Sequence, residues 1–191
     1  MRFDPAILRR RGIAVRIHAS LPAMIPIAVL TAPRGGDWTI LFVGMLLGIV
    51  IHTGGRLLGW QRIGLRAHDM VLLPTGALVR PERCRLRLGE EWSSALGGGL
   101  ASALAWLVWT TLARIAIRDG AAEWGTHLFE WARYSGALVL ANLSPGFPFD
   151  GHRPWRAAVA PWFGEGTAAR FGAGAGRITA FMLLIAGLWH R

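Results

Sequence analysis

Lysine is absent from this 191-residue chain, so all 21 of its cationic side chains are arginines. Charged residues are scarce, at 17% against roughly 25% in an average soluble domain, whereas hydrophobic residues reach 53%. Cys84 is the only cysteine, which excludes a disulfide framework and a cysteine metal cluster. No signal peptide is evident, because the first apolar run follows sixteen residues and lacks a small-residue cleavage site. The composition therefore predicts a single membrane-embedded domain over residues 1–191.

A net charge of +10 raises the question of nucleic-acid binding. The arginines, however, alternate with apolar stretches and form no continuous basic face. Their distribution is better explained by orientation in a lipid bilayer. We therefore expect the bilayer as the main partner and no nucleic acid.

The most informative stretch runs from Trp38 to Trp60, where WTILFVGMLLGIV continues into IHTGGRLLGW. An apolar run with a tryptophan at each end is typical of a membrane-spanning helix with interfacial anchors. His52 and Arg56 lie four residues apart in its last third and so project from one face of the helix. Ionisable groups inside a span are costly and usually functional, so this face is a candidate site.

The hydrophobic pattern predicts an all-α polytopic membrane protein with about five transmembrane helices. The N-terminal segment to Ile17 is basic and is expected to lie along the membrane surface. Between the second and third spans, short alternating runs around a Pro-Thr-Gly turn predict a small β-element that includes Leu73, Pro74 and Gly76. Small residues in SSALGGGLASALAW predict close helix contact in the third span. The five predicted spans cover residues 17–33, 38–60, 93–117, 128–146 and 174–190.

The arginine distribution predicts the orientation. Five arginines precede residue 17, six lie in residues 61–92 and four in residues 151–177, whereas residues 33–37 and 118–126 hold one each. With five spans the three basic segments share one side, which the positive-inside rule assigns to the cytoplasm. We therefore expect a multi-pass protein of the cell (inner) membrane with a cytoplasmic N-terminus. His52 and Asp150 then lie at a similar depth.

Several motifs in order resemble the site-2 protease family of intramembrane zinc metalloproteases. They are IHTGGRLLGW, then VLLPTGAL, ALGGGLASALA and NLSPGFPFDGHR, together with RIHASLP near the start. In that family the corresponding segments are a helix with H-E-x-x-H, a Leu-Leu-Pro-Leu-Gly-Gly-like turn, an Ala-Gly-Pro-Leu-x-Asn-like start and Asn-x-x-Pro-x-x-Pro-x-Asp-Gly. The resemblance implies a site-2-protease-like core. It places Asn142, Pro145, Pro148, Asp150 and Gly151 in the last motif.

The departures from the family pattern fall on the catalytic residues. His52 matches the first zinc ligand and Asp150 the third, but Arg56 replaces the second histidine and Thr53 replaces the glutamate base. Arginine offers no lone pair to a metal, and threonine is not a general base near neutral pH. The third helix also has Gly99 and Ser102 in place of a proline and an asparagine.

Each of these positions has an alternative interpretation. His52 is either a metal ligand with Asp150 or a hydrogen-bonded interior histidine. Arg56 either extends to the headgroups near Trp60 or pairs with Asp150 inside the protein. His152 is either a substitute ligand or a loop residue. His18 and His68 are expected to be structural or interfacial.

Together these features predict a non-catalytic homologue, a pseudoprotease without a cofactor, that binds membrane segments or partner proteins. The segment around Asn142 to Gly151 and the β-element are its expected contact surfaces, since extended segments can add to a strand edge. The alternative is an active zinc metalloprotease with an altered ligand set, completed by His152, water or a partner subunit. A small transporter or channel component is a third class.

Overall fold

The computed structural model describes residues 8–10, 13–18, 21–31, 37–73, 76–81, 87–146 and 150–189. Pro74 and Pro148, both named above, lie outside these residues. The described part is mainly helical with one small sheet, which confirms the predicted fold class. The helices are α1 Met24–Thr31, α2 Trp38–Arg62, α3 Leu88–Arg118, α4 Ala122–Leu143, α5 His152–Phe163 and α6 Glu165–Trp189. The strands are β1 Leu8–Arg10, β2 Ile13–Ile17, β3 Ala67–Leu73 and β4 Gly76–Pro81.

The described strands form one sheet in the order β1-β2-β3-β4. β3 and β4 are an antiparallel hairpin that corresponds to the predicted β-element, and β2 pairs with β3 in parallel. The two N-terminal strands were missed, because the arginines of that segment suggested a stretch lying along the membrane surface. The alternation of Ile13, Val15 and Ile17 is the signal for a strand. Pairing with β2 satisfies the backbone groups on the second side of β3.

Two of the described helices, α2 and α3, are long and apolar enough to cross a membrane. They contain the predicted spans 38–60 and 93–117. The first predicted span, residues 17–33, does not match the helix in the structure. Ile17 ends β2, and α1 has only eight residues, a length of about 12 Å. α4 ends at Leu143, before the expected break at Pro145. α6 begins at Glu165, nine residues before the start of the fifth predicted span.

Asp37 caps the N-terminus of α2. Its Oδ1 accepts a hydrogen bond of 2.7 Å from the backbone N–H of Thr39 and another from the Thr39 hydroxyl. These bonds stabilise the carboxylate and lower the pKa of Asp37, with the hydroxyl contributing most. The helix therefore begins at Trp38, as the sequence predicted.

Glycine allows α2 and α3 to approach each other closely. A Cβ atom added to Gly97 would lie 2.6 Å from the carbonyl oxygen of Gly55, and one added to Gly59 would lie 2.7 Å from that of Ser93. Both separations are shorter than real Cβ contacts, so each position requires glycine or a shift of the helices. The small-residue pattern of the third predicted span thus corresponds to close contact between α2 and α3. The polar residues His52, Thr53 and Arg56 of α2 are buried near this contact.

Candidate functional site: a buried histidine, arginine and aspartate

His52 and Arg56 project from the buried face of α2. Their exposed fractions are 0% and 3%. They are one helical turn apart, so the imidazole and the guanidinium lie one above the other. Charged residues are seldom buried to this extent without partners. The partners come from α3, from β4 and from the segment between α4 and α5.

Asp150 contacts both side chains. Its Oδ1 lies 2.6 Å from Arg56 Nη1, and its Oδ2 lies 3.2 Å from His52 Nε2. The side chain of Asp150 is 14% exposed. The carboxylate therefore bridges the cation and the imidazole, with one oxygen toward each.

Further hydrogen bonds hold the guanidinium in the interior. Arg56 Nε donates to Ser94 Oγ at 3.1 Å, and Nη1 donates to the carbonyl oxygen of Ala77 at 2.8 Å. The guanidinium carbon also lies 5.6 Å from the centroid of the Trp60 ring, within the range of a cation–π contact. Of the two orientations considered for Arg56, the structure has the interior one.

The other side of His52 faces α3. Its Nδ1 lies 2.9 Å from Ser102 Oγ, and either atom can be the donor, depending on the tautomer. A Cβ at Gly98 would lie 2.7 Å from the imidazole Cε1 and Nε2 atoms, so this glycine provides the space for the ring. Ser94, Gly98 and Ser102 are spaced by four residues and share a helix face. That spacing was the sequence signal for Ser94, which sequence reasoning missed.

Asn142 positions the backbone at Asp150. Its carbonyl oxygen accepts a 2.8 Å hydrogen bond from Gly151 N–H, and its Oδ1 accepts one of 3.4 Å from Asp150 N–H. Its own Nδ2 donates to the Leu138 carbonyl at 2.9 Å. A buried asparagine at the end of α4 thus turns the chain back, so that Asp150 faces α2.

The other predicted residues lie around this cluster. Pro145 is half-buried just after α4, and Leu73 pairs with Gly76 at the β3–β4 turn. The hairpin reaches the cluster through Ala77, which was not predicted. His152 is half-buried at the first position of α5. The backbone N–H of His18 donates to Leu72, and His68 is exposed on β3.

Thr53 lies beside His52 and is 4% exposed. Its hydroxyl has no hydrogen-bond partner among the described residues. A threonine hydroxyl stays protonated near neutral pH, so it does not supply the carboxylate of a general base.

The donor set around Asp150 does not fit a zinc ion. A catalytic zinc site uses three protein ligands that carry lone pairs. Within the residues that the structure describes, no group of three or more histidine, cysteine, aspartate or glutamate side chains could hold a metal. The position of the second histidine is occupied by Arg56, whose guanidinium has no lone pair for a metal and already contacts Asp150.

The buried polar cluster thus lies beside α2 and α3, the two described helices that are long and apolar enough to cross a membrane. No family model matches the chain. Its sequence is similar to that of a zinc metalloprotease of Methanocaldococcus jannaschii, with 22% identity over 194 residues that cover 98% of this chain and 55% of the relative. The chain thus spans about half the length of this curated relative.

The structure is similar to that of a site-2 protease from Methanocaldococcus jannaschii. The TM-score is 0.71 at 19% identity, covering 96% of this chain and 84% of the other. The fold is therefore that of a site-2 protease, and the predicted resemblance to that family is confirmed.

Proposed function

We propose that this site-2-protease-like membrane protein is a pseudoprotease that binds membrane segments or partner proteins without cleaving them. The observation that carries the proposal is the 2.6 Å contact between Arg56 Nη1 and Asp150 Oδ1. The carboxylate that the family resemblance assigns to the metal is neutralised by a side chain of the same protein.

The permanent charge of Arg56 supports this assignment. A guanidinium stays protonated in proteins, so it does not coordinate a metal. For the same reason, deprotonation does not release Arg56 from Asp150. A second cation at Asp150 would have to displace Arg56 or share the carboxylate with it. Repulsion between the two cations opposes the shared arrangement.

Thr53 supports the same proposal from the side of proton transfer. Hydrolysis at a zinc centre requires a base that takes a proton from the metal-bound water. The residue next to His52 offers a hydroxyl instead of a carboxylate. The chain thus lacks both the second histidine ligand and the glutamate of the family motif.

Two surfaces are proposed to bind segments. One is the segment from Asn142 to Gly151, in whose sequence Pro145 and Pro148 interrupt the helical pattern. Irregular backbone at membrane depth is tolerated only where it is buried in protein or lines a cavity. The other is the hairpin of β3 and β4, whose edge can pair with an extended chain. We further propose that the protein crosses the cell membrane several times with its N-terminus in the cytoplasm.

The alternative is an active zinc protease with an altered ligand set. It is favoured by the zinc metalloprotease among the relatives and by the proximity of His52 and Asp150, which retain two of the family's three ligand positions. His152, water or a partner subunit would then complete the set.

Zinc content and cleavage distinguish the two functions. We expect purified protein, exchanged with excess zinc and then desalted, to retain well below one zinc per chain. In liposomes with a transmembrane substrate, we expect no cleavage that a chelator abolishes. The matched variant is Thr53→Glu with Arg56→His, which restores the family motif and should bind more zinc. Stoichiometric zinc in the unmodified chain, or chelator-sensitive cleavage lost in His52→Ala, would refute the proposal.

A further inference from the structure

α5 carries an apolar face that the described part of the protein leaves largely exposed. Trp155, Trp162 and Phe163 are 41%, 83% and 68% exposed. The last two follow Trp155 by seven and eight residues, so the three side chains lie on one side of the helix. Contiguous exposed apolar surface usually marks a contact with a partner or with a membrane.

The start of α5 lies at the ends of the two long apolar helices. The ring of Trp155 meets that of Trp92 edge to face, with 6.1 Å between their centroids. Next to Trp92 in α3, the Ser93 hydroxyl donates to the carbonyl of Gly59 near the end of α2 at 3.4 Å. Trp60 and Trp92 stand where the apolar runs of α2 and α3 meet polar sequence, and tryptophan is enriched at such positions because they lie at the interface of lipid and water. The start of α5 is therefore level with that interface.

α6 rejoins the helices on the same side of the molecule. Gly164, with φ of 80°, separates α5 from α6. In α6, Gly176 packs closely against Gly146, and the Thr179 hydroxyl lies 2.6 Å from Ser144 Oγ. We call residues 152–177 the α5–α6 corner. It leaves and rejoins the protein close to the segment that follows α4.

The α5–α6 corner has an excess of positive charge. Its one carboxylate, Glu165, is accompanied by four arginines: Arg153, Arg156, Arg170 and Arg177. Glu91 of α3 also interacts with the first two arginines, and the arginines still outnumber the carboxylates. Arg156 Nη1 lies 3.1 Å from Glu165, but both side chains are exposed, so this pair contributes little and leaves Arg156 available to another anion. Arg170 is exposed on α6.

This combination fits the headgroup region of an anionic bilayer. Helices with aromatic residues on one side and arginines beside them lie at the boundary of headgroups and acyl chains. A guanidinium can bind a phosphate with two parallel hydrogen bonds, and anionic lipids attract basic residues at the membrane surface. A soluble protein partner would explain the exposed aromatic face, but not its position beside Trp92 at the end of α3.

We propose that the α5–α6 corner is a binding surface for anionic phospholipids of the bilayer. Trp162 and Phe163 enter the interfacial region, and Arg156 and Arg170 contact the lipid phosphates. The surface is separate from the buried cluster of His52, and lipid binding there does not depend on the proposed pseudoprotease function.

The test compares two lipids beside one fluorophore on the full chain, with one chain in each phosphatidylcholine nanodisc. Cys84, the only cysteine, is replaced by serine, and Trp162→Cys then carries the fluorophore. Phosphatidylglycerol or phosphatidylcholine with a nitroxide near the carbonyl end of its acyl chain is added at the same mole fraction, and quenching reports their relative association. We expect phosphatidylglycerol to associate at least about fivefold more strongly, the factor for one arginine at an anionic surface.

Two arginine variants test the source of this preference. Arg156→Gln with Arg170→Gln should reduce it several-fold, because both guanidinium groups are lost while the aromatic face is kept. The matched control is Arg133→Gln on α4, where an exposed arginine pairs with Glu130 and the preference should not change. A second label at Phe163→Cys repeats the measurement in case Trp162→Cys disturbs α5.

Four results would each overturn the proposal. Equal quenching by the two lipids would exclude an anionic preference, and an unchanged preference in the double arginine variant would exclude the corner as its source. Quenching by a water-soluble quencher but by neither lipid would show that α5 faces water. A fluorophore shielded from both lipid and aqueous quenchers would show that protein covers this face. None of these results depends on zinc binding or cleavage.

Discussion

The contact between Arg56 and Asp150 predicts strong coupling between two substitutions. Removing one partner of a buried ion pair typically destabilises a protein by roughly 3–5 kcal/mol, because the other charge remains buried. Arg56 is 3% exposed, and the side chain of Asp150 is 14% exposed. We therefore expect Arg56→Ala and Asp150→Ala each to lower the free energy of unfolding by an amount in this range.

The two single variants should not be equal. Arg56→Ala also leaves the Ala77 carbonyl and the Ser94 hydroxyl without their guanidinium donors. Each buried polar group left unpaired costs roughly 1–3 kcal/mol. Arg56→Ala should therefore be the more destabilising change. Asp150→Ala leaves these two hydrogen bonds in place.

The double variant removes both charges together. If the losses were additive, they would sum to roughly 6–10 kcal/mol. We expect the loss in the double variant to fall short of the sum of the single losses by about 2 kcal/mol or more, because neither charge is left buried alone. The cost of the unpaired Ala77 carbonyl and Ser94 hydroxyl is common to Arg56→Ala and the double variant, so it does not contribute to this coupling. The assay is reversible unfolding in mixed detergent micelles, followed by circular dichroism, for the four proteins of the cycle.

The matched control is the ion pair of Arg133 and Glu130 on α4. Its nitrogen-to-oxygen distance is 2.9 Å, but the Arg133 side chain is 57% exposed. Exposed pairs contribute about 0.2–1 kcal/mol, so the coupling in this second cycle should be no more than about 1 kcal/mol. Additive losses at Arg56 and Asp150, with coupling no larger than in the control cycle, would refute the reasoning.

Two further predictions concern helix packing and topology. Gly98→Ala should destabilise the protein by about 1–3 kcal/mol in the same unfolding assay, because its Cβ would meet the His52 ring at 2.7 Å. Gly89→Ala on the same helix has open space and should be neutral or stabilising, and equal effects would contradict the packing argument. A reporter fused after Arg191 should lie on the non-cytoplasmic side if five spans follow a cytoplasmic N-terminus. A cytoplasmic reporter would exclude that topology.

The sequence alone predicted the long apolar helices, the small β-element and the order of the motifs. These features depend on local signals, namely apolar run length, period-two alternation and the residues at turns. The glycines of the third predicted span likewise indicated a close helix pair. The N-terminal strands were missed because the arginines of that segment outweighed the alternation of Ile13, Val15 and Ile17. The pairing of β2 with β3 is not a local feature, since it joins residues far apart in the chain.

Only the tertiary structure decided the position of Arg56. From the sequence, its distance from Trp60 allowed it either to extend to the headgroups or to turn inward. The interior orientation depends on Ser94 from α3, the Ala77 carbonyl from β4 and Asp150 from the segment after α4. A buried charge is tolerated only where several partners converge on it. No local pattern around Arg56 encodes these partners, because each belongs to a different element and they meet only in the folded chain.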